Sequence, residues 1–183
     1  FGEDGTVQGL LEMADLPYVG AGVAASAIGM DKHFMKMAFE SAGLAVGPYR
    51  VITARDWDRE REESIARVRE LELPVFVKPA RAGSSQGITR IDDWSELDAA
   101  IAVAQACDPK VVVEAGISGR EIECAVLDGR SHARPRASLP GEVEVLGRDH
   151  AFYDFEAKYV EPESSRLRCP ADLPEEVTEE IRR

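Results

Sequence analysis

Val75-Phe76-Val77-Lys78-Pro79-Ala80-Arg81-Ala82-Gly83-Ser84-Ser85-Gln86-Gly87 is the stretch whose reading decides the fold. It begins as an apolar, β-type run stopped by Pro79 and ends as a loop of glycines and serines. An apolar run bounded by proline and glycine predicts a buried strand, and here the strand carries Lys78 just before its proline. Gly83 and Gly87 permit backbone geometry closed to other residues, while Ser84 and Ser85 add hydroxyls, so such a loop turns several donors toward one anion. A strand-end lysine beside it suits a nucleotide phosphate. The plainer reading is a salt-bridged lysine before a surface turn.

Downstream, residues 88–91 are short and β-like, which predicts a hairpin with the Gly-Ser-Ser-Gln-Gly loop at its tip. The loop is then a lid rather than a helix-anchored phosphate loop. Neither G-x-x-x-x-G-K-[ST] nor a G-x-G-x-x-G opening a helix is present. Ser95 is read as the cap of a helix over residues 96–106 with Leu97, Ile101 and Ala104 facing inward. Residues 110–114 form a second β-type run ending in an acid, followed by a glycine-containing turn to Glu121 and an alternating strand over residues 122–127. Glu114 and Glu121 suit either an acid pair for proton transfer or two solvated turn acids. Asp128-Gly129 signals a hairpin turn, with strands over residues 131–139 and 142–145. Residues 147–165 lose periodicity yet hold Phe152, Tyr153, Phe155 and Lys158, the composition of a functional, mobile loop.

Upstream, residues 2–5 read as a turn opening a helix whose apolar positions are Leu10, Leu11 and Ala14, stopping before Pro17. Tyr18-Val19-Gly20 reads as a brief strand. Glu3 is either a favourable charge at a helix N-terminus or a functional acid. Over residues 25–42 apolar side chains at Ile28, Met30, Phe34, Met37, Ala38 and Phe39 predict one helix with that stripe inward and Gly43 as its cap. Lys32 lies off the stripe, on the polar face, where a lysine is ordinarily solvated. A strand over residues 48–53 and an amphipathic helix over residues 56–71 follow, the helix burying Trp57, Ile65, Val68 and Leu71. The last residues, 172–183, read as a helix.

With 183 residues and 44% hydrophobic content the chain can build a real core. A formal net charge of −12 argues against nucleic acid as a partner, because phosphate backbones need clustered lysine and arginine. No apolar run approaches the length of a membrane-spanning helix, and no basic-then-apolar leader opens the chain, so the expected setting is the cytoplasm. Cys107, Cys124 and Cys169 are scattered and form no ligand spacing with His33, His132 and His150, so reduced thiols and no zinc site are expected.

Four segments in order carry a family resemblance: Gly2-Glu3-Asp4-Gly5-Thr6-Val7-Gln8-Gly9, Met30-Asp31-Lys32, the Val75–Gly87 stretch, and Phe152-Tyr153-Asp154-Phe155-Glu156-Ala157-Lys158-Tyr159. Together they resemble the D-alanine:D-alanine ligases of the ATP-grasp superfamily over nearly the whole chain. The resemblance implies an α+β fold in which two lobes enclose a nucleotide cleft. Residues 1–29 would be a remnant of the N-terminal α/β domain, residues 30–114 the first lobe, and residues 115–183 the start of the second with its mobile loop 147–165.

It also implies ATP as cofactor, with Mg²⁺ or Mn²⁺ held by residues beyond Arg183, D-alanine as substrate, and a homodimer for the full-length protein. Relative to that family both ends look cut, and this stretch alone is expected not to ligate. By the same resemblance Lys32, Lys78 and the backbone of Gly83, Ser85 and Gly87 meet phosphates, while Glu114 meets the adenine edge, Ile117 contributes its backbone and Glu121 takes the ribose hydroxyls. Lys158 touches the γ-phosphoryl group, Tyr159 hydrogen-bonds across to Ser84, and Glu3 stands near the first amino acid. Another ATP-grasp carboxylate–amine ligase, or a nucleotide-binding module without chemistry, are the rival readings.

Overall fold

The structure is a computed structural model that describes residues 2–129, 133–145 and 165–183. It divides into two compact units, residues 1–117 and 118–183. Mixed helix and antiparallel sheet make it an α+β protein.

The first unit is built on a four-stranded antiparallel sheet in the order β1-β4-β2-β3, with β1 Tyr49–Thr53, β2 Val75–Pro79, β3 Thr89–Ile91 and β4 Lys110–Ala115. β2 and β3 pair as the expected hairpin, Val75 opposite Ile91 and Val77 opposite Thr89, so residues 80–88 form its tip. Alternation along the strands sorts the two faces. Val75, Val77, Ile91, Val111 and Val113 point into the core, where they meet Leu97, Ala100, Ile101 and Ala104 of helix α6 (Leu97–Gln105). Trp57 of α4 (Ala54–Arg59), Val68 of α5 (Arg61–Val68) and Leu71 complete that cluster. The other face carries Phe76, Lys78, Lys110, Val112 and Glu114, with Lys78 opposite Val112 and Phe76 opposite Glu114.

Helix α3 (Lys32–Ser41) meets that second face through Lys36 and Glu114, with α2 (Val23–Met30) packed on α3 and α1 (Thr6–Met13) on α2. The single helix expected over residues 25–42 is two, because Asp31 leaves helical geometry and its Oδ1 accepts from the amides of His33 and Phe34, starting α3 afresh. The expected orientation of α3 is also reversed. Phe34 and Met37 are 51% and 48% exposed, whereas the buried residue of the helix is Lys36, at 9%. α3 meets a row of charges rather than an apolar surface, and opposite charge decides which side it turns inward. Likewise α1 buries none of its residues, Leu10 included.

Smaller departures follow from local hydrogen bonding. The helix expected over residues 56–71 breaks at Glu60, and Thr53 with Asp56 forms a capping box at the start of α4. Asp93, not Ser95, caps the 3-10 turn Trp94–Glu96 that leads into α6. Residues 18–20 form no strand.

The second unit has a three-stranded antiparallel sheet, β5-β8-β9 (Glu121–Glu123, Gly141–Val145, Ser165–Arg168), and a two-stranded ladder of β6 (Val126–Leu127) with β7 (Arg136–Ala137). The strand expected over residues 122–127 is thus split into β5 and β6, and of that expected over residues 131–139 the described part forms only β7. Buried Glu142 on β8 accepts two bonds from Arg120, at 2.6 and 2.7 Å. Helix α7 (Glu175–Ile181) closes the chain with Glu175 and Glu176 in its first turn, where negative charge complements the helix dipole. Among the described residues no helix is long and apolar enough to cross a membrane.

The fully buried Ile101 joins α6 to the sheet. Ile101→Ala in the full-length protein is expected to cost about 2–5 kcal/mol of stability in urea titrations, while Val103→Ala on the exposed side of the same helix stays within about 0.5 kcal/mol.

Candidate functional site

The C-terminal end of β2 is fastened before the glycine-serine loop begins. Lys32 donates three hydrogen bonds to it: from its amide to Ala80 O at 2.9 Å, and from Nζ to Pro79 O at 3.2 Å and Ala82 O at 2.8 Å. From the other side Asp108, itself buried, accepts from the Arg81 amide at 3.0 Å and from the Arg81 guanidinium at 2.7 and 3.2 Å. Lys110 Nζ pairs with the Asp31 carboxylate at 2.6 Å and lies over the Phe34 ring at 4.1 Å, so the cap of α3 is tied to the edge of β4.

Beyond this base, Ser84 and Ser85 adopt left-handed φ of 53° and 58°, and Gly87 one of 70°. Two serines in that region are uncommon and mark a loop held in shape by its surroundings. Gly87 is required twice over, by its φ and because a Cβ there would come within 2.8 Å of Cys107 Sγ. A cleft of about 680 Å³ opens beside the loop, lined among others by Glu3, Gln8, Ser26, Lys32 and Gly83. Gln8 Oε1 is buried and unpartnered next to it. Glu3 Oε2 lies 3.9 Å from where a Cβ on Gly83 would sit, so this acid stands beside the loop rather than in the first turn of α1.

One sheet register further in, Lys78 Nζ bonds Glu114 Oε2 at 2.5 Å while Lys36 Nζ meets Glu114 Oε1 at 3.3 Å. Burial pushes the Glu114 carboxyl up, but the two lysines together outweigh it and hold it below the ordinary glutamate value. Lys32 is pulled below the ordinary lysine value, by burial first and then by the charge of Lys78. In a chain of net charge −12 the site therefore gathers cations, and its cations are set by pairing rather than by solvent.

The structure thus brings Glu3, Lys32, Lys78, Gly83 and Glu114 together in the first unit. The solvated placement that its helical position suggested for Lys32 does not hold, since its ammonium is drawn onto carbonyls. Ile117 is exposed at the end of that unit, after Gly116, whose amide bonds Pro74 O at 2.7 Å. Glu121 is exposed at the start of β5 in the second unit. Lys158, Tyr159 and all but Ser165 of the expected loop 147–165 lie outside the described residues. Sequence reasoning missed Lys36, Asp108 and Lys110. Lys36 had one signal, its place four residues after Lys32 on the same helical side.

Comparison with known proteins agrees in one direction. A family model described as D-ala D-ala ligase C-terminus matches residues 38–183. The D-alanine--D-alanine ligase of Kocuria rhizophila is 66% identical over 183 residues, which are 100% of this chain and 47% of that protein. That of Pseudarthrobacter chlorophenolicus is 61% identical over 182 residues, 100% of this chain and 48% of its own. Among solved structures, the VanG D-Ala:D-Ser ligase from Enterococcus faecalis superposes with a TM-score of 0.83 at 35% identity, over 99% of this chain and 50% of that one. The D-alanine-D-alanine ligase from Coxiella burnetii gives 0.74 at 34% identity, over 99% and 45%. The chain spans about half the length of the curated relatives it matches.

Because the folded-state pKa of Glu114 is depressed, its pairing stabilises the fold above the ordinary glutamate value, and that contribution is lost as pH falls through the depressed one. Glu114→Gln is expected to flatten this part of the acid limb of stability in the full-length protein. Chemical unfolding between pH 7 and about pH 3 checks it, and an acid limb of unchanged slope would contradict the pairing.

Proposed function

The chain belongs to the D-alanine–D-alanine ligase family, and on that premise we propose that the protein containing it joins two D-alanines at the expense of ATP. The product is D-alanyl-D-alanine for peptidoglycan precursors, made in the cytoplasm. The observation that carries the reading is the placement of Lys32 and Lys78 near the base of a left-handed glycine-serine loop, within a chain 66% identical to a curated ligase of that name.

In this reading ATP phosphorylates the carboxylate of the first D-alanine, and the amine of the second attacks the acyl phosphate and expels phosphate. Both steps gather negative charge, so the protein's part is to place fixed cations and donors around it. Lys78 and Lys32 serve the phosphates, with the backbone of Gly83, Ser85 and Gly87 curled around them. Glu114, the backbone at Ile117 and Glu121 serve the base and ribose, Glu114 as an acceptor for an exocyclic amine. Lys158 is assigned to the γ-phosphoryl group, Ser84 and Tyr159 to a hydrogen bond that orders the reacting centre, and Glu3 to the margin of the first amino acid's place. Magnesium or manganese accompanies ATP. Among the described residues no group of three His, Cys, Asp or Glu side chains is placed to hold such an ion, and the reading draws its ligands from outside them.

A second reading, a different second substrate, is favoured by the likeness to a D-Ala:D-Ser ligase at 35% identity. The higher identity to D-alanine--D-alanine ligases supports the first.

A charge-assisted bond is worth about 1.5–3 kcal/mol, so Lys78→Ala in the full-length protein is expected to weaken binding of a non-hydrolysable ATP analogue by about 10- to 100-fold. Arg61→Ala, on the surface where the guanidinium pairs with Asp98 and lies over the Trp57 ring, is the control and leaves affinity unaltered. Calorimetric titration decides between them, and equal affinities refute the phosphate assignment. The Tyr159 assignment has its own test. A site built around a hydrogen bond penalises a partner that cannot complete it. Wild type offered D-alanine with D-lactate is expected to make the dipeptide, and Tyr159→Phe to gain depsipeptide. Chromatography of the products shows which, and a variant that gains none leaves Tyr159 without the selecting role.

A further inference from the structure

Glu114 is shared by two lysines that differ in what else they can reach. Its two oxygens are divided, Oε2 to Lys78 and Oε1 to Lys36. Lys36 reaches it from α3, its side chain 11% exposed, with its ammonium 5.2 Å over the Tyr49 ring. Among the described residues Glu114 is its one carboxylate partner. Lys78 sits at the end of β2, one residue before the Pro79 carbonyl that Lys32 binds, and its side chain is twice as exposed, at 22%. Only Lys78 is therefore placed to leave Glu114 for an anion at the loop.

Such a move has a cost. A largely desolvated carboxylate stripped of its partner is unfavourable, and a nucleotide phosphate competing for Lys78 would leave Glu114, its side chain 16% exposed, with that partner gone. We infer that Lys36 is a positioning residue that makes the exchange possible: it keeps Glu114 neutralised and in place while Lys78 transfers from the carboxylate to a phosphate oxygen of the nucleotide. The inference rests on the ATP-dependent reading above. It assigns to Lys36 no contact with the nucleotide, and it explains why a lysine is the buried residue of α3. The charges facing Glu114 are Lys36 and Lys32 from α3 and Lys78 from β2, and Lys32 is already committed to Pro79 O and Ala82 O. Lys32 also repels Lys78, so Lys78 moves toward the loop only when an anion lies between them.

The test is a double-mutant cycle in the full-length protein, read by titration with a non-hydrolysable ATP analogue. Lys36→Met is expected to weaken analogue binding about tenfold or more, and Lys36→Arg to restore most of it. In a Glu114→Gln background, where no carboxylate needs a counter-charge, Lys36→Met is expected to change affinity less than about twofold. A merely structural role for Lys36 would instead carry the full loss into that background, and this outcome overturns the proposal. Wild-type affinity in Lys36→Met overturns it equally. Should Lys36→Met alone fail to fold, Lys36→Gln carries the same comparison. Failure of the wild type to bind the analogue, or to form dipeptide from D-alanine, strikes the functional reading instead, so the two failures are told apart.

Discussion

A carboxylate on a half-buried sheet face has to be neutralised where it stands, and Glu114 imposes that condition on the residues around it. It projects from the central strand β4, between Phe76 on one neighbour and Tyr49 on the other. Lys78 answers it from β2 and Lys36 from α3. With Lys36 inward on α3, Phe34, Met37 and Phe39 are exposed, against the ordinary sense of an amphipathic helix. Paired buried charge is weak evidence of stability, since apolar residues of the same volume often do as well. Its presence here fits the phosphate role proposed for Lys78.

The loop that follows β2 depends on the same surroundings. Glycines and serines confer no rigidity of their own, and a free loop of this composition would sample many shapes. Its base is held because Lys32 binds the carbonyls of Pro79, Ala80 and Ala82 from above while Asp108 binds the amide and guanidinium of Arg81 from the side. The acid comes from the turn between α6 and β4 and the lysine from the start of α3. Preorganisation of donors toward an anion is thereby distributed over elements far apart in sequence.

That distribution explains what could be read in the sequence. The β2–β3 hairpin and the inward face of α6 were legible because each is a local pattern, an apolar run bounded by proline and glycine or a period of three to four residues. The family was legible in four ordered motifs, and the family model over residues 38–183 agrees with it; the roles given to Lys32 and Lys78 come from the resemblance. The break at Asp31 was written in the sequence as an N-cap residue, but the apolar period running through it hid the signal. The inversion of α3 was not legible, because a helix does not encode which surface it will meet. The pairing of Lys78 with Glu114 spans 36 residues and depends on strand order, which no local pattern supplies.

Strand order has one more consequence, and it concerns time. β4 is the last of the four strands in the chain and lies between β1 and β2 in the sheet. A nascent chain exposing only residues before 110 holds β1 and the β2–β3 hairpin without the strand that joins them. Closing the sheet then pays the entropy of drawing β4 back across more than half a hundred residues to β1, as the Tyr49–Glu114 register requires. Glu114 arrives with that strand, so the cationic pair on the hairpin and α3 waits unneutralised until the final strand slots in. The insertion that completes the hydrophobic core is also the one that switches the charges off.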